Sequence, residues 1–313
     1  MPETNATAGR YAYLGPKGTF TEAALAAFAP AAGEEAVPYP SIQATLDAVR
    51  AGAAHRAIVP IESSVEGAVT ATLDELATGP DLAICAELLL PVTFALLARQ
   101  TAVLADVKKV GGHPQAQAQC RRWLAEHLPD AEWLPASSNA EAARQAAEGM
   151  IDAALAGAFA AERYGLAVLA SSVNDVPDAV TRFVVIGQPG PVPATTGADR
   201  TSLVAFLRED HPGALMELLT EFAVRGINLT RIESRPTGDG LGKYCFSIDC
   251  EGHLDDARVG EALMGLRRVC ADVKFLGSYP RHDGGRAQVR PGTSDTEFAQ
   301  AAAWLGRLRY GRV

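Results

Sequence analysis

The sequence predicts an α/β protein in two parts, an N-terminal run of strand–helix units and a smaller C-terminal part on the ferredoxin-like βαββαβ plan. Three observations carry this. From Tyr11 to Gly187 short apolar runs alternate with Ala-rich helical stretches. Residues 188–200 (QPGPVPATTGADR) then break every period with Pro, Gly and Thr. Beyond them the order is strand, helix, strand, strand, helix, strand across residues 201–280.

Each element has a local reason. RYAYLG reads as a strand and turn, and Thr19 with Glu22 forms a capping box that opens a helix. Ser41 caps a helix over Ile42–Ala51, and Ala57–Glu62 is a buried strand that ends in a polar loop. Pro91–Ala98 and Val107–Gly111 read as strands, and Pro114 opens a helix over Gln115–His127. Ser138 and Glu141 make a second capping box, and Ala153–Gly157 and Arg182–Gly187 are apolar strands. Such alternation implies βαβ units, a largely parallel sheet and ligands at the carboxyl ends of the strands. In the C-terminal part TSLVAFL, Asn228–Ser234, Tyr244–Cys250 and Val273–Tyr279 read as strands, with helices over Pro212–Arg225 and Asp255–Cys270. A last helical stretch, Thr296–Arg309, follows a loop in a tail rich in Arg (Arg281, Arg286, Arg290, Arg307, Arg309, Arg312), which reads as a solvated extension.

Composition narrows the function classes. The 313 residues carry 28 basic and 37 acidic side chains, a net charge of −9, so no broad basic field exists for nucleic acid. A locally positive cleft for a small anion remains compatible with that balance. The five cysteines (Cys85, Cys120, Cys245, Cys250, Cys270) are scattered without a CxxC, which predicts reduced thiols rather than a disulfide framework or a metal site. The start MPETNATAGR lacks the pattern of a signal peptide, and the most apolar stretch, Ala86–Ala98, falls short of a membrane span. The expectation is a soluble, cytoplasmic protein.

Four segments are candidates for chemistry. Gly15-Pro16-Lys17-Gly18-Thr19-Phe20-Thr21 joins a strand to a helix, where Gly18, Thr19 and Phe20 could present a helix start to a carboxylate or a phosphate; it lacks the Walker spacing and also serves simply as a turn. Pro60-Ile61-Glu62-Ser63-Ser64-Val65-Glu66-Gly67 delivers two carboxylates and two hydroxyls into a loop at a strand end, suited to acid–base work or to capping the next helix. Gly111-Gly112-His113-Pro114-Gln115 repeats the glycine-turn design, with His113 a proton carrier, a cap or a packing residue and Gln115 beside it. Thr181-Arg182-Phe183 heads an apolar strand, and an Arg there demands a carboxylate, from the protein or from a ligand.

Together GPKGTFTEAA, PIESSVEGAV, GHPQAQAQC and VTRFVVIG resemble the prephenate dehydratase family in order and approximate spacing. Residues 201–280 resemble that family's regulatory ACT domain, with Gly213-Ala214-Leu215 before a helix and INLTRIESRP on the second strand. The resemblance implies a two-lobed fold like a type 2 periplasmic binding protein, cleft between the lobes, and an enzyme that turns prephenate into phenylpyruvate, CO₂ and water with no cofactor and no metal. It places Thr181 as the key catalytic residue, with Arg182, Phe183 and Glu62 beside it, and Gly18, Thr19, Phe20, Ser63, Ser64, His113 and Gln115 as substrate-binding residues. The family usually reads PIEN where Ser63 stands, and has Leu at the place of Gln117.

For the ACT part the resemblance implies feedback inhibition by L-phenylalanine in a homo-oligomer, dimer or tetramer. Gly213, Ala214, Leu215 and Asn228 would hold the effector, and Glu233, Ser234 and Arg235 would pass its occupancy on. The expected division is an arm (1–9), a catalytic domain (10–187), a linker (188–200), the ACT domain (201–280) and a basic tail (281–313). An arogenate-using dehydratase and a non-catalytic amino-acid sensor are the alternatives. Neither a nucleic acid nor a membrane is an expected partner.

Overall fold

The computed structural model describes residues 9–28, 34–238, 240 and 243–311. The expected arm, apart from Gly9, and Arg312 of the tail lie outside the described residues. The N-terminal part runs β1 (Arg10–Leu14), α1 (Phe20–Phe28), β2 (Glu35–Tyr39), α2 (Ile42–Arg50), β3 (Arg56–Ser63), β4 (Gly67–Ala68), α3 (Thr70–Thr78), β5 (Ala83–Pro91) and β6 (Phe94–Ala98). It continues with β7 (Lys109–Gly112), α4 (Pro114–Gln119), α5 (Arg121–His127), β8 (Glu132–Pro135), α6 (Asn139–Ala147), β9 (Ala153–Gly157), α7 (Phe159–Tyr164), β10 (Ala167–Ala170) and β11 (Val180–Gly187). The C-terminal part comprises β12 (Asp199–Phe206), α8 (Ala214–Ala223), β13 (Leu229–Pro236), β14 (Tyr244–Glu251), α9 (Ala257–Val269), β15 (Asp272–Pro280) and α10 (Asp295–Tyr310).

These elements form two compact units, residues 1–72 with 88–184 and residues 73–87 with 185–313. One sheet has the order β2-β1-β3-β11-β5, with β4 on β3, and a second has the order β10-β6-β9-β7-β8. The parallel pairs β1–β2, β1–β3, β7–β8 and β7–β9 are the expected βαβ products. The pairs β6–β9 and β6–β10 are antiparallel, which corrects the largely parallel sheet to mixed sheets. The reason is the route of the chain: β6 enters its sheet directly from the other sheet, without the helical crossover that keeps βαβ strands parallel. Two crossings join the sheets, and they are laced together where Val92 N donates to Ala179 O at 2.7 Å and Phe94 N donates to Asn174 Oδ1 at 3.3 Å.

The expected cap side chains each accept from their helix, Thr19 Oγ1 from Glu22 N at 3.4 Å, but neither expected capping box closes, because Glu22 accepts from Gly18 N and Glu141 from Arg144 instead. Ser41 Oγ accepts from Ala44 N at 3.1 Å, and Leu46, Ala48 and Val49 of α2 are buried. Ser138 Oγ accepts from Glu141 N at 3.0 Å, and α6 buries Ala140, Ala142, Ala143 and Ala146, small side chains that suit a close approach to the buried strand β9. The expected helix over Gln115–His127 is instead two, α4 and α5, broken at Cys120. Asp175, from the returning crossing, accepts from Arg122 N at 3.0 Å and Trp123 N at 3.3 Å, and so caps the second helix from afar. The strand expected over Pro91–Ala98 likewise divides, β5 ending at Pro91 and β6 starting at Phe94.

In the second unit the sheet order β13-β14-β12-β15 is the ferredoxin-like arrangement. Leu203, Ala205, Phe246 and Ile248 cluster with Leu218 and Phe222 of α8 and Val259 and Leu266 of α9. Period-two geometry turns Ser202, Ser247 and Asp249 to the other face. That face is also buried, and its polar groups pair with one another, although Arg231 Nη1 is buried without a hydrogen-bond partner among the described residues. Arg231 donates to both Asp249 oxygens at 2.8 and 3.0 Å and to Ser247 Oγ at 2.9 Å, while Ser202 donates to Asp249 at 2.6 Å. Residues 73–87, well before the expected linker in sequence, pack in this unit: Arg235 forms a two-pronged pair with Asp74 at 2.8 and 2.7 Å, Arg200 meets Glu87 at 2.5 Å, and Lys274 donates to Gly79 O at 2.6 Å.

Candidate active site

The candidate catalytic segments converge on one end of the first sheet. Strands β1 and β3 run parallel, so the Gly15 loop and the Glu62–Ser64 loop leave the sheet at the same carboxyl end. Strand β11 begins there: Ser64 N donates to Val180 O at 2.8 Å and Val180 N donates to Ser64 Oγ at 2.9 Å. This reciprocal tie fixes the residue just before Thr181. Thr181 itself is half-buried, Phe183 is only 2% exposed within the core, and buried Arg182 has its Nε 3.5 Å from Glu62 Oε2. The Arg that had to be paired is thus paired, with Glu62. Ser63 Oγ closes its own loop, accepting from Val65 N and Glu66 N at 3.3 Å each. Glu66 in turn accepts from Gln119 Nε2 at 3.1 Å, which ties the loop to the end of α4. Ser64→Ala is expected to lower turnover about tenfold with little change in KM, because it loosens the strand end carrying Thr181 without removing a substrate contact; steady-state kinetics check the split.

A cavity of about 690 Å³ opens beside these strand ends, lined from the first sheet's side by Leu14–Pro16, Gly18–Thr21 and Tyr39, and from the second's by His113, Gln115, Ser137–Asn139 and Gly157. Its size suits a small-molecule ligand. Gly18, Thr19, Phe20, His113 and Gln115 therefore share one wall system, while Thr181, Arg182, Phe183, Glu62, Ser63 and Ser64 are not in its lining. Gly18 needs its glycine: φ is +87° and a Cβ would stand 2.9 Å from the Tyr164 ring. Its N–H is taken by Glu22 at 2.5 Å, so this amide is occupied within the chain. Glu22 also accepts from Tyr13 OH at 3.2 Å; burial, then this neighbouring carboxylate, push the Tyr13 hydroxyl well above its ordinary pKa.

His113 caps α4, its Nδ1 accepting from Gln115 N at 3.3 Å, which leaves the ring proton on Nε2. Its own N–H donates to Asn139 Oδ1 at 2.8 Å, so the start of α6 positions the start of α4. Ser137, Ser138, Asn139 and Tyr39 are cavity residues that no sequence motif marks as sites. The capping-box pattern at Ser138 was the available signal, since it marks a helix start, and helix starts favour anions. Cys120 is no nucleophile: burial and then Asp175 push its thiol up to about 12.

The residues expected to serve regulation lie apart within one chain. Gly213 caps α8 with φ +98°, and Ala214 and Leu215 open that helix. Asn228 lies beyond its far end, and ten residues of helix span about 15 Å. Glu233, Ser234 and Arg235 sit along β13, where Arg235 is held by Asp74.

Comparison with known proteins bears on this geometry. The prephenate dehydratase family model matches residues 11–191, and the ACT domain model matches residues 201–268. A prephenate dehydratase of Mycobacterium tuberculosis strain H37Rv is 51% identical over 311 residues, 97% of this chain and 95% of that one. The crystal structure of an Arthrobacter aurescens prephenate dehydratase in complex with L-Phe superposes with a TM-score of 0.92 at 51% identity, covering 96% of this chain and 99% of the other. A chain described as GqqA, a novel type of quorum-quenching acylase, shares the fold at a TM-score of 0.76 and 30% identity, covering 87% of this chain and 97% of its own. Architecture alone therefore does not settle the reaction. The matched family model and the half-identical, full-length relatives do place it: the chain belongs to the prephenate dehydratase family and carries a C-terminal ACT domain.

Proposed function

We propose that this chain converts prephenate to phenylpyruvate, CO₂ and water, and that L-phenylalanine inhibits it through the ACT domain. The observation that carries the catalytic reading is the Ser64–Val180 tie, which holds Thr181 at the sheet end where the cavity opens. In the reaction the ring–carboxylate bond breaks, its electron pair enters the ring, and the ring hydroxyl departs with its own pair and takes up a proton as water. Aromatisation drives the step, so the protein's task is to orient the dianion and assist the leaving hydroxyl. A threonine hydroxyl is too weak an acid to give up its proton freely near pH 7, so Thr181 donates a hydrogen bond to the departing oxygen. The starts of α1 and α6, at Thr19–Phe20 and Ser138–Asn139, favour the carboxylates. Arg182 and Glu62 act as a paired strut behind the site.

For regulation, Gly213 and Asn228 lie at opposite ends of α8, so an effector site holding both takes residues from two copies of the chain. This supports the homo-oligomer. No helix among the described residues is long and apolar enough to cross a membrane, and the compartment we propose is the cytoplasm. The test offers the purified chain prephenate and arogenate separately and identifies products by mass. Phenylpyruvate from prephenate at the higher kcat/KM is expected. Preference for arogenate would reassign the substrate, and binding without turnover of either would favour the sensor reading.

A further inference from the structure

The Arg-rich tail is not the loose extension its composition implies. Arg281 N donates to Ala198 O at 2.8 Å, and the Arg281 side chain reaches Glu251 at 3.0 Å and Asp283 at 2.9 and 2.7 Å. This guanidinium, first by hydrogen bonding, holds the Asp283 carboxyl down at about 2, so the pair stays ionised and Arg281 stays occupied. Farther on, Thr293 lies against Gly226, where an added Cβ would be 3.1 Å away, and Asp295 accepts from Ala257 N at 2.8 Å at the start of α9. The chain between these two anchors arches over the end of the unit where β13 begins. With that end it borders a solvent-open cavity of about 600 Å³ whose wall includes the exposed side chains of Asn228, Arg286, Gln288 and Arg290.

The chemistry of that wall is specific. Arg286 and Arg290 have no carboxylate in ion-pair reach among the described residues, and the one carboxylate of the wall, Glu251, is already held by Arg281. Two unengaged guanidiniums beside an amide that both donates and accepts make a site for a carboxylate. We infer that Arg286 and Arg290, with Asn228, form the carboxylate-recognition half of the amino-acid effector site, contributed by the tail. This deepens the regulatory reading above and rests on it.

The experiment uses the full-length enzyme, with each variant's inhibition expressed relative to its own uninhibited rate. L-Phenylalanine is compared with phenylalaninamide, which lacks the carboxylate. The unaltered chain is expected to respond at least about tenfold more sensitively to phenylalanine than to the amide, and R286A/R290A is expected to lose most of that preference, its half-inhibiting phenylalanine concentration rising about tenfold or more. R286K/R290K, which keeps the charge, should recover part of the preference, and R290E alone serves should the double variant fold poorly. If R286A/R290A or R290E discriminates like the unaltered chain while still inhibited by phenylalanine, the tail has no such role and the regulatory reading stands. If the unaltered chain ignores phenylalanine, both readings fall.

Discussion

Thr181→Ala is expected to lower phenylpyruvate formation by about 10²–10⁴-fold, the range for a positioned hydrogen-bond or proton donor at a departing group. Thr181 is half-buried, and the strand around it is held through backbone and Ser64 contacts that the substitution leaves alone. Loss of stability should therefore stay near ~1 kcal/mol. Thr181→Ser keeps the hydroxyl and should recover much of the rate. Steady-state kinetics on folded, melt-checked variants decide the matter. Near-normal turnover in Thr181→Ala, or no recovery with Ser, would remove Thr181 from the chemistry.

The second large effect concerns stability. Asp249 is fully buried and accepts from Arg231, whose side chain is 3% exposed, and from Ser202. Asp249→Ala strands that guanidinium in a dry sheet face, with an expected loss of roughly 3–5 kcal/mol. Replacing both partners at once, Arg231→Met with Asp249→Leu, should cost less than the single change, because no uncompensated charge then remains. Denaturant midpoints of the two variants test this. A single variant as stable as the double would show that water reaches the pair.

Much of this architecture was legible because its causes are local. Ser41, Ser138 and the Pro114 helix start announce themselves through side chains that bond within a turn. The C-terminal strand order followed from period and turn chemistry alone. What stayed hidden depends on partners distant in sequence. The helix break at Cys120 is stabilised by Asp175, and nothing near Cys120 signals it. Strand β14 alternates apolar and polar residues, which reads as one wet face, yet Ser247 and Asp249 are buried because Arg231 and Ser202 complete their hydrogen bonds.

The same division holds for the candidate site. Four motifs gave Thr181, the Gly18 turn, the Glu62 loop and His113 as segments, and two of these, the Gly18 turn and the His113 segment, share the cavity. That Gly18 N–H is consumed by Glu22, that Ser64 serves Val180, and that Arg182 leans on Glu62 are consequences of the folded geometry. The start of α6 was visible as a cap and unreadable as a cavity wall, since its opposite wall lies on another lobe's loop.

The central claim is that this chain performs the dehydration itself and answers to phenylalanine. The most direct measurement mixes the purified full-length protein with prephenate and follows the near-ultraviolet absorption of phenylpyruvate, with and without L-phenylalanine. The account predicts catalytic, multiple-turnover appearance of phenylpyruvate that phenylalanine suppresses. Prephenate remaining intact in the presence of folded protein would contradict it.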